Sequence, residues 1–154
     1  MGLYTYSKDC ELVIGIVSPV GVNLDDVQNR LDSFFNQFQY TFNFIQDSEL
    51  CQPYLEPVAP VRTELERLDN GMNNGRTLRE KYKRGDFYAL LAINAINEKR
   101  SISEDAPVPL QRHAHVIRSL KHPDEVETLR SVYGDGFFLL GVSSSIKSRR
   151  YYLH

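Results

Sequence analysis

Residues 11–26, ELVIGIVSPVGVNLDD, constrain the fold more than any other stretch of the chain. The apolar run 12–17 is rich in Val and Ile and shows no alternation, which predicts a strand buried on both faces, as in a parallel sheet. The run stops at Ser18 and Pro19, turns through Gly21 and enters an amphipathic helix near Leu24. Asn23 suits the helix cap, and Asp25 and Asp26 suit the positive first turn. Strand, tight loop and helix in this order form the layout of a phosphate-binding loop, which holds anions with backbone N–H groups and the helix dipole.

The loop chemistry departs from that layout. A short-spaced kinase loop runs Gly-x-x-Gly-x-Gly-Lys-Ser/Thr. Aligned on Gly21, this chain reads Ser18, Pro19, Val20, Gly21, Val22, Asn23, Leu24 and Asp25. One glycine of the three remains. Leu24 stands where a lysine would reach the phosphates, and Asp25 where a hydroxyl would hold Mg²⁺. A carboxylate there repels phosphate, so ATP-driven phosphoryl transfer is not expected.

Further along, Leu24, Val27, Leu31, Phe34, Phe35 and Phe38 recur at helical spacing, predicting a helix to about Gln39. Residues 40–45 alternate as a strand, with Tyr40, Phe42 and Phe44 on one face. Pro53, Pro57 and Pro60 mark a loop over 47–60. From Val61 to about Arg84 the pattern is helical and charged. Gly71 and Gly75 weaken it by roughly 1 kcal/mol each, so a kink or break is expected there. Asp86 is the expected cap of the next, largely buried helix, and 101–110 read as a polar linker. His113 to Ile117 reads as a buried strand ending at Arg118. Pro123, Asp124 and Glu125 open another helix, Gly134 stops it, and 137–142 form a last strand. Residues 143–150 are polar and carry no clear period. The order β-α-β-α-α-β-α-β predicts a three-layer α/β fold with a mostly parallel sheet flanked by helices, in a single domain spanning 1–154.

With 154 residues and 42% hydrophobic composition, the chain can bury one core. Its net charge of -2 supplies no global field toward nucleic acid or anionic lipid. Cys10 and Cys51 make no Cys-x-x-Cys pair, which fits a reducing, cytoplasmic setting without a disulfide framework. No leader segment and no membrane span are expected.

In open α/β sheets, ligands sit beyond the carboxyl ends of the strands. That rule selects Ser18, Pro19, Val20, Gly21, Val22 and Asn23, then Arg118 and Lys121, then Arg149 and Arg150, as candidate nucleotide or phosphate contacts. Arg118 lies nearest a strand end, and the free amides of the helix opening at Pro123 add an anion site. For Lys121 and His122 the plainer alternative is helix capping and solvated charge, and for Arg149 and Arg150 a charged tail. Arg76, Arg79, Lys83 and Arg84 read first as a solvated helix face and second as an RNA or partner contact. His113 and His115 point to one strand face, yet no third metal ligand is evident.

Three segments together carry a family resemblance. They are Glu11-Leu12-Val13-Ile14-Gly15 with Pro19-Val20-Gly21; residues 72–79, MNNGRTLR; and residues 116–127, VIRSLKHPDEVE, followed by 132–138, VYGDGFF. Over most of its length, from Glu11 to Arg150, the chain resembles the N-terminal domain of anti-phage dCTP/dCMP deaminases. In that family a P-loop nucleoside/nucleotide-kinase-like domain precedes a zinc deaminase domain that depletes deoxycytidine nucleotides during infection, and the N-terminal domain is thought to control it. Zinc deaminases need His-x-Glu or Cys-x-Glu with Pro-Cys-x-x-Cys. Here His113-Ala114-His115 has no glutamate and Cys10 lies 41 residues from Cys51, so no zinc is expected in this chain and no catalytic residue carries over.

The resemblance implies a regulatory or sensing domain that binds a nucleotide, RNA or protein trigger, with a deaminase domain in cis or a full-length homologue in trans as partner. A homo-oligomer is expected, and the only cofactor entertained is a nucleotide. An atypical nucleotide kinase and a non-enzymatic oligomerisation or interaction module are the alternatives. The chain is then either a piece of a two-domain protein or a short relative that kept the regulatory half.

Overall fold

A computed structural model describes residues 9–56, 63–100, 102–103 and 106–153. Pro57, Pro60 and Val61, expected in a loop and at a helix start, lie outside the described residues. Strand β1 spans Glu11–Val17 and helix α1 spans Leu24–Gln37. Asn23 caps α1 as expected, its Oδ1 accepting the Asp25 N–H at 3.0 Å. The chain leaves α1 through Gln39 at φ 58° and enters β2, Thr41–Gln46. A short helix α2, Asp47–Leu50, and a 3₁₀ turn, Gln52–Tyr54, lie within the expected loop.

Helix α3 runs Glu64–Tyr82, capped by Thr63 Oγ1 on the Glu66 N–H at 3.1 Å. It passes both glycines without a break, contrary to the expectation from propensity. At Gly75 the reason is packing. A Cβ there would meet Arg79 Nη1 at 3.3 Å and Tyr88 Oη at 3.7 Å, so the bare glycine lets α3 lie close against the next helix. Tertiary contact of this kind outweighs about 1 kcal/mol of propensity. Nothing in the structure explains Gly71.

Helix α4 spans Phe87–Lys99 and buries Phe87, Tyr88, Ala89, Ala92 and Ile96. Asp86 holds its N-cap position, but the side chain caps nothing. Its carboxylate instead accepts from Arg84 Nε at 2.8 Å and Thr128 Oγ1 at 2.9 Å. Within the expected linker, β3 (Ile102–Ser103) and β4 (Ala106–Pro107) make a small antiparallel hairpin. Strand β5, His113–Arg118, is followed by α5, Pro123–Tyr133, then β6, Phe137–Gly141. The segment without a clear period turns into α6, Ile146–Leu153.

The main sheet is all parallel, in the order β2-β5-β1-β6. The crossover from β1 runs toward β2 and that from β5 runs toward β6. Right-handed crossovers in opposite directions put their helices on opposite faces. The packing agrees. Leu24 and Phe35 of α1 pack on Ile16, Ala114 and Val116. On the other face, Ala89, Ala92 and Ile96 of α4 and Leu129 of α5 pack on Val13, Ile45, Ile117 and Phe137. The fold is a three-layer α/β sandwich. Ile16, Ile96, Ile117 and Leu129 have no exposed surface, which contributes about 2–3 kcal/mol each. No helix among the described residues is long and apolar enough to cross a membrane. Because the chain leaves β1 and β5 toward opposite faces, the loops beyond their carboxyl ends diverge. That divergence is the switch point where open sheets offer a crevice.

Candidate functional site

The loop leaving β1 turns at residues 19–22, where Val22 N–H reaches Pro19 O at 3.4 Å. Gly21 is buried at φ +83°, a left-handed conformation that glycine adopts at no cost. A Cβ on it would lie 2.9 Å from Arg149 O and 3.2 Å from Leu153 Cδ1. Helix α6 is therefore laid directly across the loop. Val22 packs into the α1 side of the core and Asn23 caps α1, so both have structural tasks. Ser18 is half-buried, and Pro19 and Val20 are exposed.

Two cations bond the segment 18–25, and a third residue, Arg149, packs its backbone over it. Arg118, at the end of β5, pairs with Asp25 through Nη2 and Oδ1 at 3.1 Å. Asp25 thus neutralises the arginine nearest the strand end. Lys121 Nζ donates to Ser18 O at 3.3 Å, bridging the two diverging loops. Arg149 lies against Gly21, and its Nε is buried with no hydrogen-bond partner. Arg150 is exposed.

The amides opening α5 are not free, contrary to expectation. Glu125 is fully buried, and its Oε2 accepts from Lys121 N at 2.8 Å and His122 N at 3.0 Å. Oε1 accepts from Arg79 Nε at 3.2 Å and also from Arg79 Nη2. The chain supplies its own anion to this cradle. The signal was present in sequence as a capping box, with His122 at the cap and Glu125 three residues on. His122 as the cap residue hid it, since Ser, Thr, Asp and Asn are the usual ones.

The basic run separates by burial. Arg79 faces inward, stacked over the Tyr88 ring at 4.9 Å, and holds Glu125. Arg76 pairs with Glu80 on the exposed face at 2.8 Å. Lys83 ends α3 in the left-handed region at φ 53°. Arg84 pairs with Asp86, and that bond, helped by Thr128 against the opposing effect of burial, holds the Asp86 carboxyl down at about 2. None of these four is among the residues touching the switch-point loop.

At the opposite, amino end of the strands lies a polar cluster that the sequence did not announce. Glu11 accepts from Arg100 Nε at 3.1 Å and from the Leu110 N–H at 3.3 Å, and its Oε1 lies 2.9 Å from His115 Nε2. The Asn43 amide meets His115 Nδ1 at 2.9 Å and His113 Nε2 at 2.7 Å, and His113 Nδ1 lies 2.7 Å from Thr41 Oγ1. Donor accounting sets the protons. If the Asn43 oxygen accepted from both rings, a neutral His115 would turn a bare Nε2 toward the Glu11 carboxylate. With the amide turned so that Nδ2 takes the place of Oδ1 between the rings, His115 Nε2–H donates to Glu11 and His113 Nδ1–H donates to Thr41, and both imidazoles are satisfied. Burial keeps both imidazoles below their ordinary value, His113 also feeling charge on His115 and Lys99. For Glu11, burial pushes the carboxyl up, but Arg100, His115 and the Leu110 amide outweigh it and leave it lowered. Beside this cluster is a cavity of about 450 Å³ whose lining includes Cys10, Glu11, Arg100, Leu110 and Tyr133. The Tyr133 hydroxyl is buried without a partner, and burial raises it to about 12.

The two histidines share a face as expected, with ring centroids 4.6 Å apart. No group of three or more His, Cys, Asp or Glu among the described residues is arranged to hold a metal ion. No family model, curated protein or solved structure matches this chain.

Proposed function

We propose that this chain is a catalytically silent P-loop-kinase-like domain that senses a nucleotide phosphate at the switch point, serving regulation in an anti-phage deoxycytidine-nucleotide deaminase system. The resemblance of residues 116–138 to that family supports the second half of the statement. The observation that carries the first half is the set of cations on the loop. Arg118 and Lys121 bond residues 18–25, the Arg149 backbone lies over Gly21, and Arg149 Nε is buried without an acceptor. A buried donor left unpaired costs about 1–3 kcal/mol, which an anionic ligand would recover. Silence follows from Leu24 and Asp25. The first brings no cation to the transferring phosphate, and the second spends its charge on Arg118.

Titration calorimetry with a panel of nucleoside and deoxynucleoside triphosphates and short RNAs tests the reading. A phosphate ligand binds more tightly to Asp25→Asn, where Arg118 is released, and more weakly to Arg149→Gln. A radiolabel assay shows no transfer from ATP. If no member of the panel binds, sensing of nucleotide or RNA is excluded and the non-enzymatic interaction module remains.

A further inference from the structure

The sheet ends abruptly at β6, which pairs with β1 on one side and with no strand among the described residues on the other. Its sequence, Phe-Phe-Leu-Leu-Gly, has no charge and no proline, two of the devices that commonly blunt a sheet edge. Phe138 is 52% exposed on the α1 face and Leu139 is 43% exposed on the α5 face, where Val132 of α5 is also exposed. The hydrogen-bonding side can be read from the register. Val142 N–H donates to Val17 O at 2.9 Å, so by alternation residues 138 and 140 also turn their backbone groups toward β1. The N–H and C=O of Leu139 point outward.

We infer that β6 is the seam of a homodimer, in which two copies pair their β6 strands antiparallel about a two-fold axis centred on Leu139. The two four-stranded sheets then become one continuous sheet. A second copy fits this edge for three reasons. An isologous contact requires a self-complementary strand, and an uncharged β6 meets its own image without like-charge opposition. The register sets exposed Phe138 opposite Leu140 of the second copy on one face and Leu139 opposite Leu139 on the other, each within direct side-chain contact. The flanks carry opposite charge as well: exposed Asp135 precedes the strand and exposed Lys147 follows it, so an antiparallel arrangement sets the acid-bearing end of each strand next to the base-bearing end of the other. This seam stands independently of whether the loop at 18–23 takes phosphate.

Sedimentation equilibrium of the full chain over a concentration series tests the seam. The expected mass is twice 17.8 kDa. Leu139→Pro removes an outward N–H without touching the ladder to β1, so this variant keeps the parent circular dichroism and runs as a monomer. Asp135→Lys weakens the dimer about tenfold through two exposed pairs, and adding Lys147→Glu restores it. The charge swap carries the test if the proline variant does not fold. A parent chain that stays at 17.8 kDa throughout, a folded Leu139→Pro that still dimerises, or a charge reversal that the second change fails to rescue overturns the proposal.

Discussion

Replacing Glu125 with alanine tests the central electrostatic claim, that an internal carboxylate fills the anion cradle at the start of α5. The wild-type side chain has no exposed surface and accepts from two backbone amides and twice from Arg79. Its loss strands a mostly buried guanidinium and two helix-terminal N–H groups together. Breaking a buried ion pair by removing one partner costs about 3–5 kcal/mol. At roughly 2–4 °C per kcal/mol for a domain of this size, the melting temperature falls by about 6–20 °C. Arg79→Met should cost less, because the carboxylate keeps its two amide donors and Arg79 is the more exposed partner. The emptied cradle is a helix amino terminus beside an arginine, so inorganic phosphate should stabilise Glu125→Ala by several degrees more than the parent. Differential scanning fluorimetry with and without phosphate reads both effects. A drop under about 2 °C, or equal phosphate shifts in the two proteins, would refute the assignment of Glu125 as the internal anion.

Acid should destabilise the fold in stages. The folded pKa values of His113 and His115 lie below their unfolded value, so the native state binds fewer protons, and stability present above pH ~6.5 is lost as pH falls below it. Each histidine contributes at most about 1.4 kcal/mol per pH unit, and a melting temperature that is flat or rising from pH 6.5 to 5 would contradict the buried neutral pair. Glu11 and Asp86 are also depressed, so their contributions persist above the usual carboxylate range and fade at still lower pH, that of Asp86 down to about 2. Gly21→Ala forces a side chain into the left-handed region and against Arg149 O at 2.9 Å. We expect a loss of about 1–2 kcal/mol and faster proteolysis within α6, and a parent-like digest would show that α6 does not rest on the loop.

Much of the framework is legible in the sequence. The unalternating run from Leu12 to Val17, the cap at Asn23 and the stop at Gly134 act through local geometry, and each is found where expected. The three-layer parallel architecture followed from element order. The misreadings share a cause. Propensity marks Gly75 as a weak point, yet a neighbouring helix uses its missing side chain. The charged pattern around Arg79 suggests a solvated cation, yet it faces a carboxylate 46 residues away. The α5 amides were read as vacant, and their acceptor was three residues downstream behind an unusual cap. Glu11 precedes the apolar run 12–17 and carries no signal of its own in the sequence. Its partners Arg100 and His115 lie 89 and 104 residues on.

The sequence by itself determined periodicity, caps, turns and the order of elements, because these depend on residues a few positions apart. It also placed Leu24 and Asp25 directly after the turn at Gly21, at the start of α1. Only the tertiary structure decided which charges meet. Asp25 lies against Arg118, Glu125 against Arg79 and Gly21 against Arg149 because the crossovers fold distant segments onto one end of the sheet. Coulomb energy depends on separation in space and on burial, and neither is encoded in spacing along the chain.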